Sequence, residues 1–529
     1  MTLGARCEHP NPGRGGARLS RRSVLAGAGA LAGLAAMSSA STEEAGAAPT
    51  SSPRGPLAAG DAVTVDPSQF LSLQQLRTWS TELDAMGMRA TGYPVHERFI
   101  DTLIDRLQWA GVEDVHPEPV PFTKWTVGVW SLEVDHREAP TASYIPYSGS
   151  TPGKGIAGPL VYVDSTTTPP PGSLAGKIAL FAVEVSPVTY GTMETISYWK
   201  YDPQNLLDPS GEYSRPWGGV ASLIAFLDSL EAAGAVGCIG IIDLPANGAH
   251  GSYYPYDGVV RRVPGLFVDS TVGAQLRNRA LAGASARVTL TATTEPYVSR
   301  NVVGSIPGRR DEMVLLNSHT DGPNAVEDNG PNTIVAMAQY LTRLPRETLP
   351  RTIMISLTTG HFAGGIGQAT FAQEHLTTTI PTTACGVTLE HLGALEWMEN
   401  ADGQMALTGE PELGVVFVPE NRAMVSAAQT AIQRANAGPA LALRPYVSAP
   451  GSPNGFGWPG EGTQLWTDGH LMTMNYITGP TYLLNWRVPT IGKTDFRRMR
   501  REAIAFTEMV LALSRVPASS LSLLDLPPL

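Results

Sequence analysis

Apolar positions change their period along this chain. Residues 94–110 place Val95, Phe99, Leu103 and Leu107 on one stripe with Ile100 and Ile104 beside it, a spacing that predicts an amphipathic helix stopped by Gly111. From 140 to 295 the texture shifts to short apolar runs between Pro- and Gly-rich turns: Leu160 to Val163, Lys177 to Ala182, Gly237 to Ile242 and Leu266 to Val268. These predict a strand-rich region, with one helical pattern from Val220 to Ala233. Within it Tyr190, Tyr198, Trp199, Tyr201, Tyr213 and Trp217 crowd a stretch with little periodicity. That stretch reads either as an aromatic loop covering a cleft or as the local packing of a long insertion.

From Asn301 onward strands and helices alternate. Met313 to Leu316, Thr352 to Leu357 and Gly386 to Leu389 read as buried strands, and Ile334, Met337, Ala338 and Leu341 form a helical stripe. Gly367 to Leu376 predicts another helix, and Phe496, Met499, Ala503, Phe506, Val510 and Leu513 a closing one. The alternation predicts an α/β fold, a mixed and largely parallel sheet flanked by helices, with ligands beyond the carboxyl ends of the strands.

At 529 residues the length suggests about three domains, or two with processed ends. Hydrophobic residues make up 43 % and charged residues 16 %, enough for a large core without a membrane. The net charge of −11 excludes nucleic acid as a partner, because phosphate binding rests on clustered cations. Ser20-Arg21-Arg22-Ser23-Val24-Leu25 is a twin-arginine pattern, followed by a small apolar stretch from Ala26 to Met37 and a cleavage site at Ala45-Gly46-Ala47. We expect export by the twin-arginine route, with a mature chain of net charge −13. The apolar stretch is too short to span a bilayer, which needs about 20 residues. Of the three cysteines, Cys7 falls in the signal, and Cys238 and Cys385 lie far apart at strand positions, leaving neither a disulfide framework nor a cysteine zinc cluster.

The chemistry gathers at three strand ends. The first predicted strand runs into His319-Thr320-Asp321, with Asp328-Asn329-Gly330 ahead of a helix; the second ends at His361-Phe362 and the third at Glu390-His391. With only ten histidines in the chain, three at these ends form an informative set of nitrogen and oxygen donors of the kind zinc accepts. Strand alternation makes Glu390 and His391 face opposite ways if the strand continues that far. Glu461 and His470 lie in a Gly- and Pro-rich stretch and read as loop polar groups before ligands. His250, beside Tyr253, Tyr254 and Tyr256, either reaches the cleft or decorates a loop. No Gly-x-Ser-x-Gly elbow and no His-Glu-x-x-His helix occurs.

These motifs resemble the PA-domain-containing zinc exopeptidases, the superfamily of aminopeptidases, glutamate carboxypeptidases and glutaminyl cyclases. Gly92-Tyr93-Pro94-Val95-His96 with its helix, Asn301-Val302-Val303 to Pro307-Gly308, His319-Thr320-Asp321 and Asp328-Asn329-Gly330 carry the resemblance. After the signal peptide over 1–47 and a Pro-, Gly- and Ser-rich linker over 48–66, it implies an amino-terminal segment over 67–139 and an inserted strand-rich PA-like domain over 140–297. A zinc-exopeptidase-like domain over 298–516 and a tail over 517–529 complete the chain. In that family two zinc ions share a bridging aspartate, here Asp328, and one of them is completed by residues matching His319 and Glu390. The other needs a Glu-Glu pair and a late histidine. The pair reads His361-Phe362 here, and Gly479-Pro480-Thr481-Tyr482-Leu483-Leu484-Asn485 has no histidine.

The resemblance therefore implies one zinc on His319, Asp328 and Glu390, with His361 as the general base and Asp321 orienting His319. Three protein ligands plus an open position is a catalytic zinc arrangement. The expected protein is an exported mononuclear zinc peptidase or amidohydrolase acting on a peptide or small amide. A metal-free pseudoenzyme, serving as a binding protein on the same fold, is the alternative. A third reading is a two-zinc aminopeptidase with ligands recruited from His391, Glu461 or His470. Convergence of His319, Asp328 and Glu390 on one point favours the metal; carboxylates blocked by Arg or Lys favour the pseudoenzyme.

Overall fold

The apolar runs of the sequence assemble into one sheet of 15 strands in the computed structural model, which describes Leu57 and residues 64–521. The signal, most of the linker and the end of the tail lie outside the described residues. At the centre, Met313–His319 pairs in parallel with Thr352–Thr358 on one side and Thr383–Leu389 on the other. Thr473–Thr478 continues the sheet in parallel with 383–389. Gly414–Phe417 and Ala440–Leu443 follow, and Ser197–Tyr201 closes this edge antiparallel to 440–443.

Alternation along the central strand splits its side chains between two cores. Val314 and Leu316 pack on one face with residues of the helices Pro94–Trp109, Gly330–Leu341 and Phe496–Leu513, whereas Leu315 packs on the other with Phe371 and Leu465. The first helix buries Phe99, Ile100, Leu103 and Leu107, the stripe expected from the sequence, and Gly111 follows it at φ +85°. This is the expected α/β sandwich, a mixed and largely parallel sheet with helices on both faces.

Much of residues 140–297 builds the other half, although strand 197–201 belongs to the central sheet. Ile156–Tyr162, Ile178–Ala182, Gly237–Ile241 and Gly265–Val268 pair in parallel, with the helices Val220–Ala233 and Ser270–Leu281 among them. Cys238 and Cys385 are free and buried in strands of the two halves. Two 22-residue strands, Glu113–Val134 and Ser285–Ile306, pair antiparallel as a ribbon. The second of them joins 156–162 near its start and 352–358 near its end, so that it belongs to both halves. The aromatic stretch is neither a free loop nor merely local packing, since its strand 197–201 is an edge of the central sheet.

Candidate metal centre

The site sits where parallel strands end, as the strand-end rule requires. His319 closes strand 313–319, His361 opens a short helical turn after 352–358, and Glu390 and His391 follow strand 383–389. The last two do not alternate. The strand stops at Leu389 and His391 adopts φ +55°, a left-handed turn that lets adjacent side chains approach the same point.

Tight crossings hold these ends in register. Asn329 donates from Nδ2 to the Leu392 carbonyl at 2.8 Å and accepts from the Leu392 amide at 2.9 Å, tying the 327–330 segment to the 390–392 turn. Ser318 Oγ donates to the Leu389 carbonyl at 2.8 Å. A Cβ on Gly330 would lie 2.2 Å from that same carbonyl oxygen, so only glycine permits this approach.

Each histidine is oriented through Nδ1. His319 Nδ1 lies 2.8 Å from the Asp321 carbonyl, His391 Nδ1 2.6 Å from the Thr478 carbonyl, and His361 Nδ1 2.8 Å from Glu461 Oε2. All three partners are acceptors only, which assigns one ring proton to Nδ1, so that each ring when neutral presents its Nε2 lone pair. Tyr256, from the inserted half, donates its hydroxyl to His361 Nε2 at 3.1 Å. The Nε2 atoms of His319 and His391 are buried without a hydrogen-bond partner, as are Oε2 of Glu327 and Oε2 of Glu390.

The two imidazole nitrogens face Glu390 Oε2 and the other oxygen of Glu327, Oε1. His319 Nε2 is 3.4 Å from Glu390 Oε2 and 3.9 Å from Glu327 Oε1; His391 Nε2 is 3.5 Å from Glu327 Oε1 and 3.7 Å from Glu390 Oε2. These separations are long for hydrogen bonds. They suit a shared ion, since zinc bonds of about 2.0–2.2 Å at tetrahedral angles put neighbouring ligand atoms roughly 3.4 Å apart. Two overlapping triads, His319–His361–Glu390 and His319–Glu327–His391, have the proximity a metal requires.

Charge at the cluster is unbalanced. Burial opposes protonation of His319, but Glu327 and Glu390 more than reverse this and raise its pKa well above the ordinary imidazole value. Burial pushes Glu327 up to about 7 despite His319 and His391. Burial pushes Glu390 upward too, but His319, His391 and His361 outweigh it and hold it at about 2. Without an ion, a proton on His319 partly compensates the two acids; a divalent cation in its place would do so more completely.

Asp328 lies beside this cluster but is not among the converging atoms. Arg89 Nε donates to its Oδ2 at 2.5 Å and Nη2 to its Oδ1 at 2.7 Å, with both side chains fully buried, so the aspartate expected to bind metal is consumed by a guanidinium. The donors gathered around His319 are Glu390 and His361 in one triad and Glu327 and His391 in the other, with Glu327 next to Asp328 in sequence. Asp321 supports the site in two ways. Its carbonyl sets His319, while its carboxylate accepts from Thr91 Oγ1 at 2.5 Å and from the amides of His361 and Phe362 at 3.2 and 2.9 Å. Glu461 is brought in as the partner of His361, His470 is exposed away from the cluster, and His250 pairs with Asp269 at 3.2 Å.

Sequence reasoning passed over Glu327, Arg89 and Tyr256. Glu327 had a signal, an acid beside the motif aspartate, but Arg89 lies 239 residues from its partner with no local pattern to mark it. The cluster opens into a cavity of about 470 Å³ that reaches Met193, Tyr213 and Trp217 of the aromatic insertion.

No protein-family model matches the chain, and neither does any curated protein sequence. Solved structures do resemble it. An aminopeptidase from Aneurinibacillus sp. superimposes with a TM-score of 0.55 at 13 % identity, over 86 % of this chain and 95 % of its own. A zinc aminopeptidase from Bacillus subtilis gives 0.56 at 14 %, over 85 % and 97 %, and a peptidase precursor from Shewanella amazonensis 0.56 at 17 %, over 86 % and 100 %. The chain has the fold of the zinc aminopeptidases.

Proposed function

We propose that this protein is an exported mononuclear zinc hydrolase that cleaves a peptide or related amide bond, with the ion held by His319, His391, Glu327 and Glu390. The observation that carries this reading is the approach of the unpartnered Nε2 atoms of His319 and His391 to Glu390 Oε2 and Glu327 Oε1 at zinc-like spacing. The donor set fits zinc, with two imidazole nitrogens and two carboxylates, and the imidazoles are locked by carbonyl acceptors. Such an ion supplies Lewis acidity toward a carbonyl and toward water.

The chain's own residues supply the proton chemistry. His361 Nε2 lines the cavity beside the cluster, with Glu461 holding its ring and stabilising a proton taken up there. In amide hydrolysis the oxygen of water bonds to the acyl carbon, the carbon–nitrogen bond breaks, and the amine leaves with a proton that His361 is placed to carry. Tyr256 supplies a hydroxyl at the same nitrogen, 3.1 Å away. Asp321 fixes where His361 stands by binding its main chain.

A second reading, the metal-free binding protein, is favoured by Arg89 on Asp328. Metal analysis of the purified mature chain separates the two. The hydrolase reading expects one zinc per chain and amide hydrolysis abolished by His319→Ala; absence of a stoichiometric divalent ion rejects it. For export, we expect amino-terminal sequencing of the secreted chain to begin at Ala48, and an Arg21→Lys/Arg22→Lys variant to remain inside.

A further inference from the structure

The cavity walls are almost wholly apolar away from the metal cluster. Phe417, Leu443 and Ile477 come from the central sheet, and Met193, Ile196 and Trp217 from the aromatic insertion. A substrate group entering here exchanges water for hydrocarbon, worth roughly 25 cal/mol for each Å² of apolar surface covered.

Charge is the more discriminating feature. The carboxylates lining the cavity are Glu327 and Glu390, both spoken for by the proposed ion. The one basic residue lining it, Arg215, is already neutralised: Nη2 donates to both oxygens of Glu412 at 3.0 and 3.1 Å and to Glu396 at 3.1 Å. Neither of those glutamates lines the cavity. A free α-ammonium buried against this wall finds no carboxylate, and a free carboxylate finds no uncommitted cation. Burying either without a partner is costly. Arg215 keeps one group in reserve, because its Nε–H is a buried donor with no acceptor, suited to the oxygen of a neutral carbonyl.

We infer that the cavity selects substrates whose entering portion is apolar and uncharged, namely amides of acyl-blocked apolar residues or apolar acids, and disfavours peptides with a free amino terminus. This rests on the proposed zinc site, whose ion occupies Glu327 and Glu390, and the test separates selection from turnover. L-leucine p-nitroanilide and N-acetyl-L-leucine p-nitroanilide differ in one charge at pH 6.5. Their binding is followed through tryptophan fluorescence and calorimetry on the full mature chain, as purified and after zinc loading, and their hydrolysis through nitroaniline release.

The expected result is at least tenfold tighter binding of the acetylated compound to the zinc-loaded protein, with the same order in kcat/KM. Tyr446→Glu, which sets a carboxylate on a partly exposed wall position, should bring the free-amine compound level or ahead. Equal binding of the pair, or preference for the free amine by the unaltered protein, overturns the inference even where hydrolysis occurs. Selective binding of the acetylated compound without hydrolysis rejects the hydrolase and keeps the inference.

Discussion

Arg89 and Asp328 form an ion pair with no exposed surface, and such pairs are costly to break from one side. Arg89→Met leaves a buried carboxylate uncompensated and should lower unfolding stability by about 3–5 kcal/mol, measured by urea denaturation; removing both charges in Arg89→Met/Asp328→Leu should cost less. His391→Ala tests the other side of the cluster. It should weaken zinc binding beyond the roughly 10- to 100-fold that loss of an outer-shell partner brings, read by competition with a chromophoric chelator. Glu461→Gln should retain zinc while kcat falls, by at most the roughly 10²- to 10⁴-fold that a general base contributes, because His361 loses the carboxylate that orients it. Much of this site was legible beforehand. His319, His361 and Glu390 stand at strand ends that periodicity located. His391 was obscured by the alternation argument, which assumes an extended chain, whereas it turns left-handed at φ +55°; Glu327 was passed over beside the motif aspartate. Arg89 could not be found from the chain because its role depends on a contact across 239 residues.

At the level of elements, the site depends on how closely helix Gly330–Leu341 approaches the end of strand 383–389. Gly330→Ala would set a methyl group 2.2 Å from the Leu389 carbonyl oxygen and 2.1 Å from Ser318 Oγ. Overpacking of this kind costs about 1–3 kcal/mol, and here it also pushes Glu327 away from Glu390. The variant should therefore lose both thermal stability and zinc content, measured by calorimetry and metal analysis on the same sample. The long amphipathic helices were readable because their stripes persist over several turns. Strands such as Gly414–Phe417 and Ala440–Leu443 were not, since four consecutive buried residues carry no period that separates strand from helix. The edge strand 197–201 was hidden for a related reason, since Tyr198, Trp199 and Tyr201 show no clean alternation of buried and exposed positions.

Across the whole molecule, the proposed ion links four residues from two separate loops, so its binding should stabilise the folded state as a unit. Free zinc at 100 times its Kd adds about 2.7 kcal/mol by mass action. Chelation should accordingly lower the unfolding temperature and zinc should restore it, with no such response in the His319→Ala chain. The antiparallel ribbon of Glu113–Val134 and Ser285–Ile306 has a mechanical consequence for the cavity. Each strand spans roughly 70 Å at the rise of an extended chain, and the second is stitched into both halves of the molecule. It acts as a spar between the two jaws of a fixed calliper. Opening the jaws means shearing a ladder of hydrogen bonds instead of turning a few loop torsions. The gap between them is set by folding, and it works as a gauge that admits or refuses what arrives, with little capacity to close around it.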